Sequence, residues 1–182
     1  MANRNTRVSR AVGMMAVVGL AVTACGAQPG AAAVINGEGL SEDYLAAAVA
    51  DYNELLGQQI EPKDMLATLI VIPTLVDTGA EHGIGVSRSQ AADLLAAQAE
   101  LTGQEAPQDG YSEGMLDIAQ LQLVNREISQ SPAGTQIMEE FWQAIEAADI
   151  DVNPRYGSFE FEENTGPQIV SPPLPWLADT GQ

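Results

Sequence analysis

The chain has 182 residues, and its seven basic side chains stand against 25 acidic ones, which gives a formal net charge of −18. An acidic surface of this kind repels nucleic-acid phosphates, so the composition excludes nucleic acid as a partner. One cysteine and one histidine leave no pair for an intramolecular disulfide and little material for a metal site.

The N-terminus has the organisation of a secretory signal. Arg4, Arg7 and Arg10 form a basic segment, and an apolar stretch over residues 11–21 follows it. That stretch is shorter than the about 20 apolar residues that a bilayer-spanning helix needs. We therefore predict that residues 1–24 are a signal peptide that is removed. Without its three arginines, the mature chain would keep four basic residues against 25 acidic ones, a net charge of −21.

The signal ends in Val22, Thr23, Ala24 and Cys25. These residues resemble the bacterial lipobox, in which an aliphatic and two small residues precede a cysteine that is acylated and becomes the new N-terminus. The resemblance implies that Cys25 is the lipidation site of a lipoprotein, anchored on the extracytoplasmic face of the cell membrane. Acyl chains give stable anchoring because each buried methylene contributes about 0.8 kcal/mol. Residues 25–32 are the predicted tether.

Local signals after the tether predict a short strand and a first helix. Ala33–Ile35 predicts the strand, and Asn36–Gly37 predicts the turn that ends it. Ser41 is suited to cap the first helix, and Gly57 is suited to end it.

A second and a third helix follow. The second is predicted from Pro62 to about Ala80, and its apolar residues cover more than one side, so we expect it in the centre of the domain. Pro73 removes one hydrogen bond inside it. Ser87 and Gln90 have the spacing of a capping box for the third helix.

The fourth helix is predicted from about Ser112 to Ser129. Ser131 and Pro132 then predict the start of a fifth, as its cap and its first-turn residue. Gly134 should weaken that first turn by about 1 kcal/mol relative to alanine.

The pattern becomes extended after the fifth helix. Phe159 and Phe161 alternate with polar residues as in a strand. The first strand is too short to stand alone, and residues 157–161 are the nearest predicted partner for its backbone groups. The predicted fold class is thus mainly α, with about five helices and a short β-strand pair that joins the N- and C-terminal segments. The predicted domain spans residues 33–165, and residues 166–182 form a Pro-rich extended tail.

Residues suited to catalysis are scarce. His82 lies in a predicted turn without partners at metal-ligand spacing, which predicts an exposed histidine. The neighbouring carboxylates of residues 139–140 and 162–163 point apart on a helix or a strand, as solvated charges do. The sequence has no Gly-rich phosphate loop and no nucleophile elbow. We therefore predict no catalytic residue, no metal ligand, no cofactor and no enzyme activity.

Three segments resemble the N-terminal domain of SurA-type chaperones, which PrsA-like foldases share. Residues 33–45 have its opening strand, Asn-Gly turn and Ser-capped helix. Residues 69–90 have its apolar helix, a Gly-Ile turn and a new capped helix, and residues 152–157 are similar to its closing segment. The resemblance implies a helical chaperone module whose first strand pairs with a C-terminal segment. Many family members add a parvulin prolyl-isomerase domain, for which this chain has no room, so the resemblance implies binding and not isomerisation.

The first functional hypothesis is an ATP-independent, chaperone-like module that binds unfolded or extended polypeptide clients. We expect the groove between the second, fourth and fifth helices. The predicted client-binding residues are Met65, Met115, Met138, Phe141 and Trp142, since thioethers adapt to varied partners and aromatic rings anchor them. Apolar residues at helical spacing are also what a core requires, and that alternative stays open.

The alternative hypothesis is a non-catalytic cell-envelope adaptor. Residues 171–176 contain three prolines and a tryptophan, and such a preformed extended segment can dock in an aromatic groove of one specific partner. The same segment can instead pack Leu174 and Trp176 against its own domain.

Overall fold

The computed structural model describes residues 28–162 and 165–171. In chain order, the elements are β1 (Ala31–Ile35), β2 (Glu38–Ser41), α1 (Glu42–Leu56), α2 (Pro62–Glu81), α3 (Arg88–Thr102), α4 (Glu113–Gln130), α5 (Gly134–Ala147), β3 (Ile150–Val152), β4 (Ser158–Glu162) and β5 (Gly166–Val170). The mainly helical fold class with a few short strands is confirmed. The predictions for the signal peptide, for Cys25 and for Leu174 and Trp176 fall outside the described residues.

Three helices begin at the serine caps that the sequence predicts. Ser41 accepts a hydrogen bond from the Tyr44 amide, and Ser112 accepts one from the Met115 amide. Ser87 forms the full capping box with Gln90 at the start of α3. These bonds satisfy amides that the first turn of a helix leaves without partners, which fixes where each helix starts.

Helix α2 is the centre of the domain, as its apolar pattern predicts. Its buried residues are Met65, Leu66, Ala67, Leu69, Ile70, Val71, Ile72, Leu75, Thr78 and Gly79. They surround the helix on most sides, and α1, α4, α5 and β5 all contact it. Full burial of a leucine or isoleucine contributes about 1.5–3 kcal/mol, so this helix supplies much of the stability. No helix among the described residues combines the length and the apolar character that a membrane crossing needs.

The predicted partner of the first strand is wrong. β1 lies between β2 and β3 and is antiparallel to both, so its C-terminal partner is β3. Ala33 lies opposite Val152, and the Asn153 amide donates to the Ala32 carbonyl at 2.9 Å. β3 reaches β1 first because only two residues separate it from α5. Residues 158–162 pair with β5 instead.

The β4–β5 hairpin packs on the helices. Phe161 stacks on Trp142 of α5 with a ring-centroid distance of 4.4 Å, and it meets Phe141 edge-on at 5.8 Å. Ile169 of β5 is buried, and β5 lies against α2. The packed domain therefore continues to Val170, past the predicted boundary at residue 165.

The start of α5 also differs from the prediction. α5 begins at Gly134 after Ala133, and Ser131 ends α4 by donating its amide to the Ile128 carbonyl at 3.0 Å. A Cβ atom on Gly134 would lie 2.4 Å from the Ile128 carbonyl oxygen. Glycine is therefore required at this corner, where two backbones approach closely, and is not merely a weak helix former.

Gly134→Ala tests this close approach. Alanine favours a helix by about 1 kcal/mol over glycine, but overpacking against a backbone atom costs about 1–3 kcal/mol, and the short distance makes the clash the larger effect. We expect the free energy of unfolding to fall by about 1–2 kcal/mol in urea denaturation. Gly85→Ala is the control, because its Cβ would meet no atom within 4 Å. An unchanged or higher stability of Gly134→Ala would contradict the account.

Candidate functional site

An open groove lies between α4 and α5, and its volume is about 510 Å³. Ligand pockets of proteins usually fall between about 300 and 1,000 Å³. The walls come from the last turns of α4, from the connecting turn and from the first half of α5. The lining residues are Asn125, Ile128, Ser129, Ser131, Pro132, Gly134, Thr135, Met138, Glu139 and Trp142.

Two of the five predicted client-binding residues line this groove. Met138 and Trp142 are both partly buried and face it from α5. Phe141 is 5% exposed and contacts Trp142 from the core, while Met65 and Met115 are each 1% exposed. These three therefore lie in the core, as the alternative for apolar residues at helical spacing expects. The groove is also narrower in origin than predicted, because α2 does not line it.

The Trp142 ring is held in place by its neighbour Phe161. The two rings are stacked with an interplanar angle of 28°, and Phe159 stacks on Phe161 in turn. Aromatic pairs of this kind contribute about 0.5–1.5 kcal/mol beyond the area that they bury. A side chain fixed before binding loses little rotamer freedom on binding, so Trp142 is a preorganised contact. The alternation of Phe159 and Phe161 in the sequence predicts a strand, but it does not indicate which helix the strand supports.

The groove has an apolar centre and a polar rim. Ile128, which is 3% exposed, lies behind the corner where Gly134 leaves room for the backbone. Exposed polar side chains, among them Asn125 and Thr135, surround this centre, and Glu139 adds a negative charge. No basic residue lines the groove. The arrangement suits an apolar side chain of a polypeptide with basic or neutral neighbours.

The predictions for His82 and Glu140 are wrong. The His82 side chain is 22% exposed, and its Nε2 lies 2.6 Å from Oε2 of Glu140. Gln136 Nε2 donates to the other oxygen of Glu140 at 2.8 Å. The hydrogen bond with His82, followed by that from Gln136, holds the pKa of Glu140 below its usual value. This contact ties the turn after α2 to the helix that carries Met138 and Trp142.

The chemistry of the described ranges offers nothing suited to a metal ion. Within residues 28–162 and 165–171, no group of three or more histidine, cysteine, aspartate or glutamate side chains is arranged to hold one.

No protein-family model, curated protein or solved structure matches this chain. The resemblance to the SurA-type domain therefore stays a prediction, and the function has to be inferred from the described residues.

Glu140→Gln tests the contact between the turn and α5. The pKa of Glu140 is lower in the folded state, so the carboxylate contributes stability above the unfolded pKa of about 4.3 and loses it as the pH falls through the folded value. We expect Glu140→Gln to lower the melting temperature at neutral pH, and the difference from the wild type to shrink in acid.

The neighbouring variant Glu139→Gln is the control, since Glu139 is exposed and lies outside this contact. It should leave the melting temperature unchanged across the same pH range. A loss for Glu139→Gln as large as that for Glu140→Gln would show that only net charge matters.

Proposed function

We propose that this protein is a membrane-anchored, extracytoplasmic, chaperone-like module that binds unfolded or extended polypeptide without ATP. The observation that carries the proposal is the position of Met138 and Trp142 in one open groove between α4 and α5. The groove takes apolar side chains of a client, and the rim leaves the client backbone in water.

The two groove residues contribute differently to binding. Met138 has a flexible thioether side chain, which adapts to client side chains of different shape. Trp142 is fixed by Phe161 and supplies a rigid apolar surface. A groove with one adaptable and one rigid contact favours many clients at modest affinity over one client at high affinity.

The charge of the chain restricts which clients bind well. The net charge is −18, and the mature form would reach −21. Long-range attraction therefore favours basic clients, and salt should weaken their binding because it screens exposed charges beyond about 8–10 Å.

The proposed lipid anchor would keep the domain near the membrane. β1 begins at Ala31, six residues after Cys25. Because a fully extended chain spans at most about 3.6 Å per residue, the tether reaches at most about 20 Å. Clients would then be bound close to the outer membrane surface, where exported chains emerge.

The test is a pair of substitutions in the mature chain with Cys25→Ser, so that no acyl chain contributes. Met138→Ala with Trp142→Ala should weaken binding of a fluorescently labelled, permanently unfolded basic polypeptide by about tenfold, which is about 1.4 kcal/mol. Fluorescence anisotropy measures the affinity, and circular dichroism checks the fold. Met138→Gln, which keeps the chain length but loses apolar surface, decides the case if the double variant unfolds.

Leu101→Ala is the matched control, because Leu101 is 87% exposed on α3 and lies outside the groove. It should bind the client as the wild type does. Equal losses for Leu101→Ala and for the groove variants would contradict the proposal. Removal of residues 172–182 should also leave binding intact, whereas its loss would favour the adaptor alternative.

A further inference from the structure

Strand β2 leaves one side of the small sheet open. It pairs with β1 on one side and has no strand on the other among the described residues. Unpaired backbone groups at such an edge are a template for an added strand, and proteins commonly block them. Glu38 and Gly39 are exposed at this edge.

Gly39 carries the open backbone groups. In a hairpin with a two-residue turn, the residues that flank the turn form a hydrogen-bonded pair, and here these are Ile35 and Glu38. The next pair, Val34 and Gly39, is then the one without mutual hydrogen bonds. The N–H and C=O groups of Gly39 therefore point away from β1.

The other side of β1 has the matching phase. The Asn36 amide donates to the Asp149 carbonyl at 2.7 Å, and the Ala32 carbonyl accepts from the Asn153 amide. Val34 lies between Ala32 and Asn36 in the same phase and is paired with β3. Its backbone groups point toward β3, which leaves its neighbour in β2 without them.

A cavity of about 440 Å³ opens beside this edge, and we refer to it as the edge cavity. The apolar part of its wall consists of Leu40 from β2 and of Leu69 and Pro73 from α2. Pro73 has no N–H group, so it cannot donate to the Leu69 carbonyl as a residue at this helical position otherwise does. The wall thus includes a backbone acceptor without its helical donor.

Two carboxylates are available at the edge cavity. Glu38 and Asp77 line it, and neither has an ion-pair partner within residues 28–162 and 165–171. Asp117 also lines it but is already used, because it pairs with Arg88 at 2.6 Å and accepts the hydroxyl of Tyr44. Burial, followed by that hydrogen bond, raises the pKa of Tyr44, so its hydroxyl keeps the proton that it donates.

We propose that the β2 edge and the edge cavity together bind an extended, basic segment of a partner polypeptide by strand addition. One partner residue pairs with Gly39 through two backbone hydrogen bonds. Side chains alternate along a strand, so the next partner residue points to the face that Leu40 and Glu38 share. Its aliphatic stem contacts the apolar wall, and its lysine or arginine head reaches Glu38 and Asp77.

The chain itself offers no suitable occupant. Residues 25–27, 163–164 and 172–182 contain no lysine or arginine, and the four basic residues of the mature chain all lie within the described domain. A second copy that adds its own β2 edge would place two Glu38 side chains together, which is unfavourable. Charge therefore favours a different polypeptide, and the site is separate from the α4–α5 groove and independent of the function proposed for it.

The probe is a twelve-residue peptide of alternating lysine and threonine, titrated into the mature chain with Cys25→Ser at low salt. The wild type should bind it, and an alternating glutamate–threonine peptide should not bind. Glu38→Gln with Asp77→Asn should weaken binding about five- to tenfold, since each exposed ion pair contributes up to about 1 kcal/mol. Glu139→Gln with Glu146→Gln removes the same charge elsewhere and should change the affinity less than twofold.

Backbone pairing has its own readout. N-methylation of the threonines, which lie opposite Gly39 in the proposed register, should abolish binding, while N-methylation of the lysines should not. The bound peptide should also protect the Gly39 amide from hydrogen exchange. Equal losses in the two charge pairs, insensitivity to threonine methylation or an unprotected Gly39 would each overturn the proposal. Met138→Gln should leave this binding unchanged, so a failure here and a failure at the groove are distinguishable.

Discussion

Burial of α2 is the interaction on which the rest of the structure depends. The chain has one cysteine and cannot form a disulfide within itself, so apolar burial has to supply the stability. α2 contacts α1, α4 and α5, and it also contacts β5. Through β5 it fixes the C-terminal hairpin, and that hairpin holds Phe161 against Trp142. The shape of the α4–α5 groove is therefore a consequence of a helix that does not line it.

Short-range patterns predict the helices well, and long-range contacts account for the errors. The caps at Ser41, Ser87 and Ser112 depend on residues three positions away, which the sequence shows directly. The partner of β1 depends on which strand reaches it first. The role of Gly134 depends on a carbonyl of the preceding helix, and that of His82 on a glutamate 58 residues away. No local pattern contains these distances.

The two proposed binding surfaces follow from different constraints. The α4–α5 groove exists because Gly134 permits a tight corner and the aromatic rings fill one side of it. The edge cavity exists because β2 ends a sheet and Pro73 interrupts the hydrogen bonds of α2. Both surfaces are lined by acidic and apolar residues and by no basic residue. A client that spans both would gain affinity, because the second contact is then made at high effective concentration.

The most direct test of polypeptide binding is light scattering during dilution of an unfolded client into buffer with the mature chain carrying Cys25→Ser. The account predicts that near-stoichiometric amounts suppress aggregation of the client, that an equally acidic control protein does not, and that added salt reduces the effect on basic clients. Unchanged scattering for basic and neutral clients alike, with the chain shown to be folded, would contradict it.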